Sequence, residues 1–170
     1  MHRPRATVYI DTNVFSVLHY SEGHVESLAQ HLKTREWWAK ERSFFRLYSS
    51  RWTIDELAEG AYRAQGKALA EARRHSFLPN TAPVGRCAEL YLKKGVIPLG
   101  KVGDAIQLAL ASVHQMDYLL TWNYTHLANI RTQHMLENLH RKQGWRTPWL
   151  VSPDTIPWQS FGQDVMRRKL

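Results

Sequence analysis

Four positions in this chain place an oxygen-bearing side chain where a strand-like run gives way to a helix-like or loop-like one. They are Asp11 in VYIDTN, Glu56 in TIDELAEG, Asp104 in GDAIQLALA and Asn123 in YLLTWN. Each has a local structural alternative. Asp11 can cap the following helix through its side-chain oxygen. Glu56 can close a capping box begun by Thr53, Asp104 suits the positive first turn of a helix, and Asn123 is an ordinary turn residue. Glu59 lies one turn beyond Glu56 on the same helix face. Taken together the set reads differently. Carboxylates gathered at one place repel, and at least one pKa rises unless a cation neutralises them. Hard oxygen donors suit Mg²⁺ or Mn²⁺ rather than zinc or copper. A cation of that kind activates water and balances charge in phosphodiester hydrolysis.

These residues are far apart in sequence, so a fold must bring them together. ATVYI, residues 6–10, is short, apolar and rich in strand formers, and reads as a buried strand. A helix is expected through NVFSVLHY with a break at Ser21 to Gly23. A second helical pattern is expected from Val25 to Tyr48, with Leu28, Leu32, Trp37, Trp38, Phe44, Phe45 and Tyr48 on one broad face. RWTI reads as the second strand, DELAEGAYRAQGKALAEARR as a long helical stretch interrupted by glycines, and SFLPN as a third strand. TAPVGRCAELYLKKG reads as a helix closed by Gly95. DAIQLALASVHQM is apolar nearly all round and marks a central buried helix, and DYLLTWN and PWLVS supply further strands. Strands alternating with helices imply a parallel sheet, and such sheets bind ligands at the carboxyl ends of their strands. The expectation is one α/β domain over residues 1–152 and a loosely packed basic tail over 153–170.

Composition narrows the setting. At 170 residues the chain can bury a sizeable core, and seven tryptophans argue against disorder. Its single cysteine, Cys87, cannot form an internal disulfide, and no Cys/His cluster has zinc spacing, which suits a reducing cytoplasm. The first apolar run is too short for a signal peptide and is broken by Asp11. No stretch approaches a membrane span. The formal net charge of +8 favours a polyanionic partner, above all nucleic acid, although the cations are dispersed as in any solvated basic surface. In REWWAKERSFFRLY the aromatics read as core or interface before base-stacking surface. Adjacent Trp37 and Trp38 point in different directions, so one is expected in the core and the other at an interface.

VYIDTNVFSVL, TIDELAEG and GDAIQLALASVHQMDYLLTWNYTHLAN resemble the successive blocks of the PIN-domain family, in particular its VapC-type toxin ribonucleases. The likeness covers residues 6–152. It implies a three-layer α/β/α fold with a central parallel sheet, and an acidic pocket that binds Mg²⁺ or Mn²⁺ and cleaves RNA. It also implies a homodimer and a small antitoxin that covers the site. By this resemblance Asp11 is the first-strand metal ligand, Glu56 the helix acid, and Asp104 the acid opening the buried helix. Asn13 orients Asp11, and Glu59 is a reserve ligand. The chain departs from the family pattern at Asn123, where many members carry an acid. The site then reads as three carboxylates supported by Asn123 and Thr121, while His126 reads as a surface or capping residue. The alternative is a PIN-like module that binds RNA or protein without cutting. A haloacid-dehalogenase-like phosphotransferase would need an acid where Asn13 stands, and a dinucleotide-binding enzyme a G-x-G-x-x-G after the first strand.

Overall fold

The computed structural model describes residues 5–20 and 25–157. Its centre is strand β1, Thr7–Ile10, where Val8, Tyr9 and Ile10 are fully buried. Both faces of this strand are covered, which is why it reads as a continuous apolar run instead of alternating with polar residues. Beside it lie β2, Arg46–Ser50, and β3, Ser76–Leu78, on one side, and β4, Tyr118–Leu120, and β5, Trp149–Val151, on the other. The order is β3-β2-β1-β4-β5, with every neighbouring pair parallel. Chain order therefore reverses between β1 and β4.

Successive residues of β1 feed two different cores. Tyr9 joins Leu119 of β4 in one core, beneath α5, Ala82–Lys93, α6, Val102–Val113, and α7, Ile130–Gln143. Val8 and Ile10 join Leu120 in the other. That second core lies beneath α1, Thr12–His19, α2, Val25–Lys40, α3, Arg51–Glu59, and α4, Gln65–Ala72. The result is the expected three-layer α/β/α fold around a parallel sheet. No described helix is long and apolar enough to cross a membrane.

Several sequence expectations shift. RWTI is the first turn of α3, and the strand is the preceding RLYSS, paired through Arg46–Tyr48 with Thr7–Tyr9. Ser50, in extended conformation, accepts from the Thr53 backbone N–H at 3.0 Å and starts the helix there. This cap outweighs the strand preference of Trp52, Thr53 and Ile54. The pattern from Val25 to Tyr48 is not one helix, since α2 ends at Lys40, a 3₁₀ turn covers Arg42–Phe44, and Phe45 leads into β2. Trp37 and Trp38 are both buried in the second core, packed edge to face, so neither is left for an interface. Leu28 and Leu32, expected on the same face, are exposed instead. The long helical stretch breaks at Gly60 into α3 and α4. Gly95 closes α5 with φ +68°, a left-handed conformation that favours glycine. The expected break at Ser21 to Gly23 lies outside the described residues, as does the tail from residue 158. Of the tail's first residues, Ile156 is buried in the second core.

Candidate active site

Asp11 leaves the carboxyl end of β1 at the reversal between β1 and β4. Its backbone N–H still donates to the Leu120 carbonyl at 3.0 Å, so the sheet ladder fixes its main chain. It occupies the N-cap position of α1, yet its side chain makes no capping hydrogen bond to that helix's N2 or N3 amides. Instead its Oδ2 accepts from the Thr121 hydroxyl at 2.6 Å and from Asn13 Nδ2 at 2.7 Å. Asn13 cannot turn over, because its Oδ1 accepts from the Trp122 backbone N–H at 3.0 Å. Nδ2 is thereby fixed toward Asp11. The Trp122 indole in turn donates to Thr34 of α2 at 2.8 Å.

Neutral donors do not offset the loss of solvent around this carboxylate. Asp11 is 6 % exposed, and burial is the main cause that pushes its pKa up to about 7. The nearby charges of Glu56 and Asp104 push in the same direction, while the Thr121 hydroxyl opposes them. The three acids expected at the site therefore do come within electrostatic reach of one another.

Glu56 is held by the helix that Ser50 starts. Since Ser50 and not Thr53 is the cap, the capping-box reading of Glu56 falls, and its carboxylate turns to the sheet edge. Its Oε2 accepts from the Thr12 hydroxyl at 2.5 Å and from Gln107 Nε2 at 2.7 Å. Its Oε1 lies against Gly103, where an added Cβ would stand 3.1 Å away. Asp104 is partly buried in the first turn of α6, so it keeps the favourable helix-terminus position while its charge reaches Asp11. Gln107 lies one turn further along α6. It was not singled out in the sequence, where it is one amide inside an Ala-Leu run. That isolation in an otherwise apolar helix was the available signal.

The remaining positions divide. Thr121 belongs to the site through its bond to Asp11. Asn123 turns its Oδ1 to the His126 backbone N–H at 2.9 Å and donates its own backbone N–H to Thr121 Oγ1 at 3.0 Å, so it closes the loop after β4. His126 receives that loop closure through its backbone. Glu59 is exposed at the carboxyl end of α3.

Among the described residues, no three His, Cys, Asp or Glu side chains form a ready-made metal cage. The donor set nonetheless fits a hydrated divalent cation, because Mg²⁺ keeps several waters and needs only one or two protein carboxylates. Burial, and after it the charges of Glu56 and Asp104, raise the pKa of Asp11, and a cation held there would oppose both. Asp11, Glu56 and Asp104 are the residues that could hold such an ion.

The model of the PIN domain family matches residues 8–128. The chain belongs to the PIN-domain family. Members of that family are generally nucleases. The matched segment runs from β1 through β4 and contains every acid discussed here. No curated protein matches this PIN domain. Solved structures do, among them the crystal structure of FitAcB from Neisseria gonorrhoeae. That likeness has 19% identity, covers 69% of this chain and 88% of the other, and has a TM-score of 0.46.

Proposed function

We propose that this PIN domain is a Mg²⁺- or Mn²⁺-dependent endoribonuclease that hydrolyses RNA phosphodiester bonds at Asp11, Glu56 and Asp104. We further propose that it is the cytoplasmic toxin of a type II toxin–antitoxin pair, working as a homodimer that a small antitoxin restrains. The observation that carries the nuclease reading is the buried Asp11 carboxylate, its pKa raised to about 7 at the carboxyl edge of the central strand with two more acids beside it. The net charge of +8 supports RNA as the substrate, through phosphate contacts that do not depend on sequence. The toxin role rests on the likeness of the three sequence blocks to VapC-type ribonucleases.

When bound, the cation would lower the pKa of the attacking water and neutralise charge developing on the leaving oxygen. Within the chain, Asn13 and Thr121 hold Asp11 by one oxygen, and Thr12 and Gln107 hold Glu56 by one oxygen. The water-poor setting of Asp11 strengthens its attraction for any cation that enters.

One observation favours a second reading, a module that binds RNA or a protein partner without cutting. Asn123 brings no charge and its side-chain oxygen is occupied by the His126 N–H, so the last acid of the family pattern has no substitute there. The test is cleavage of a mixed RNA pool by metal-stripped protein, with and without Mg²⁺ or Mn²⁺, beside Asp11→Asn and Asp104→Asn. Metal-dependent cleavage lost in both folded variants supports the nuclease. RNA binding without cleavage supports the second reading.

A further inference from the structure

We propose that Gln107, held at its other end by Tyr9, is a positioning residue that clamps Glu56 by one oxygen and leaves the other free for the cation; the inference rests on the proposed function. Gln107 is only 2 % exposed inside an apolar helix, a costly place for an amide unless its polar atoms find partners. They do. Nε2 donates to Glu56 Oε2 at 2.7 Å and to Thr12 Oγ1 at 2.9 Å, and Oε1 accepts from the Tyr9 hydroxyl at 2.5 Å.

The Glu56 contact decides which way the amide faces, and Tyr9 closes its other end. Tyr9 is fully buried, and burial pushes its phenol far above the ordinary value, so it remains a proton donor. With Gln107 reversed, its carbonyl would meet the Glu56 carboxylate, which has no proton to offer, whereas the Tyr9 hydroxyl can donate or accept. Tyr9 also lies 2.8 Å from Ser50 Oγ, the cap of the helix that carries Glu56, and 3.2 Å from Thr53 Oγ1. One buried network thus joins β1, α1, α3 and α6 at Glu56.

The network's asymmetry is informative. Thr12 and Gln107 both donate to Oε2, whereas Oε1 faces the bare Cα of Gly103, beside Asp104. A glutamine serving only to tie helices together would have no need to converge with Thr12 on a single oxygen. A clamp that presents the second oxygen does.

Mn²⁺ titration of the metal-stripped full-length chain tests this, with melting temperatures measured alongside. The set is wild type, Gln107→Leu, Thr12→Val, Glu56→Gln and the Glu56→Gln/Gln107→Leu pair. Gln107→Leu should weaken Mn²⁺ binding about tenfold, as loss of a partner behind a ligand does. In the Glu56→Gln background the same change should alter binding by less than about twofold, because the residue it acts through is gone. Equal weakening in both backgrounds would reduce Gln107 to a general structural role and overturn the proposal. So would wild-type affinity in Gln107→Leu. If Gln107→Leu does not fold, Thr12→Val removes the other donor to Oε2 at a half-buried position, and unchanged Mn²⁺ affinity there overturns the clamp. Wild type that does not bind Mn²⁺, or binding indifferent to Glu56→Gln, overturns the proposed function and this inference with it.

Discussion

Two buried polar centres in this chain use similar partners and end in opposite states. Between α5 and α7, the Tyr91 hydroxyl lies 2.7 Å from His140 Nε2, while His140 Nδ1 faces the Arg146 carbonyl at 3.1 Å and the Thr147 hydroxyl at 3.1 Å. The carbonyl requires a donor, so Nδ1 carries the proton and Nε2 accepts from Tyr91. This centre is neutral and complete, and burial holds the imidazole below its ordinary pKa. At the sheet edge, Asp11 and Glu56 are each met by neutral donors on one oxygen, and the largest influences on Asp11 include no positive charge. A chain able to satisfy a buried histidine so fully has met the buried Asp11 carboxylate with the neutral donors of Thr121 and Asn13, at the kind of strand-order reversal where open α/β sheets bind ligands.

The largest test of this contrast removes one group from each centre. Asp11→Asn keeps an acceptor for Thr121 and Asn13 but removes the buried charge. In metal-free protein it should raise stability at pH 8 by about 2–4 kcal/mol. Tyr91→Phe leaves His140 Nε2 unpaired and should lower stability by about 1–3 kcal/mol. Denaturant unfolding of both variants measures the pair. A destabilised Asp11→Asn, or a neutral Tyr91→Phe, would erase the distinction.

The two centres also bend the pH dependence of stability in opposite directions. Asp11 has a folded pKa near 7 against an ordinary 3.8, so the folded state holds the extra proton between them. Its contribution is present in acid and is lost as pH rises from about 4 through about 7. His140 is lowered from 6.5, so its contribution is present above that value and is lost as pH falls below it. Urea unfolding of metal-free protein across pH 4–8 should show the Asp11 slope disappear in Asp11→Asn. In wild type, Mg²⁺ should flatten it.

How much of this could be read from the sequence depended on the kind of force. Asp11 was legible because a short apolar strand ended on it without an intervening turn, and the buried helix after Asp104 was legible from its unbroken apolar run. β2 was hidden because Phe44, Phe45 and Tyr48 continue the turn-spaced pattern of the preceding helix, while the neighbouring Trp52, Thr53 and Ile54 look like strand. There the parallel pairing to β1 and the Ser50 cap decide; the pairing depends on Thr7, Val8 and Tyr9, far earlier in the chain, and the cap, though local, competes with the strand preference of its neighbours. Trp37 and Trp38 were split between core and interface on direction alone, yet the broad core under α2 takes both. Gln107 and Thr12 were missed because their meaning lies in a convergence on Glu56 across 51 and 44 positions.

The smallest test sharpens the site side alone. Gly103→Ala places a methyl 3.1 Å from Glu56 Oε1, so the carboxylate must yield by a few tenths of an ångström. An alanine in the first turns of α6 should stabilise the helix by roughly 0.5–1 kcal/mol. The expected signature is a slightly higher melting temperature together with weaker Mn²⁺ binding. Gain in both would show that Oε1 is not the oxygen in use.

The central position of β1 also dictates when the site can exist. Asp11 leaves the ribosome well before Thr121, whose hydroxyl holds it from 110 positions later, and β1 has no neighbour on that side until β4 is made. Contacts of such long sequence separation form late in folding. Between the synthesis of Asp11 and that of Thr121 the growing chain therefore carries its first acid without the site, and the arrangement around that acid is complete only when the fourth strand docks.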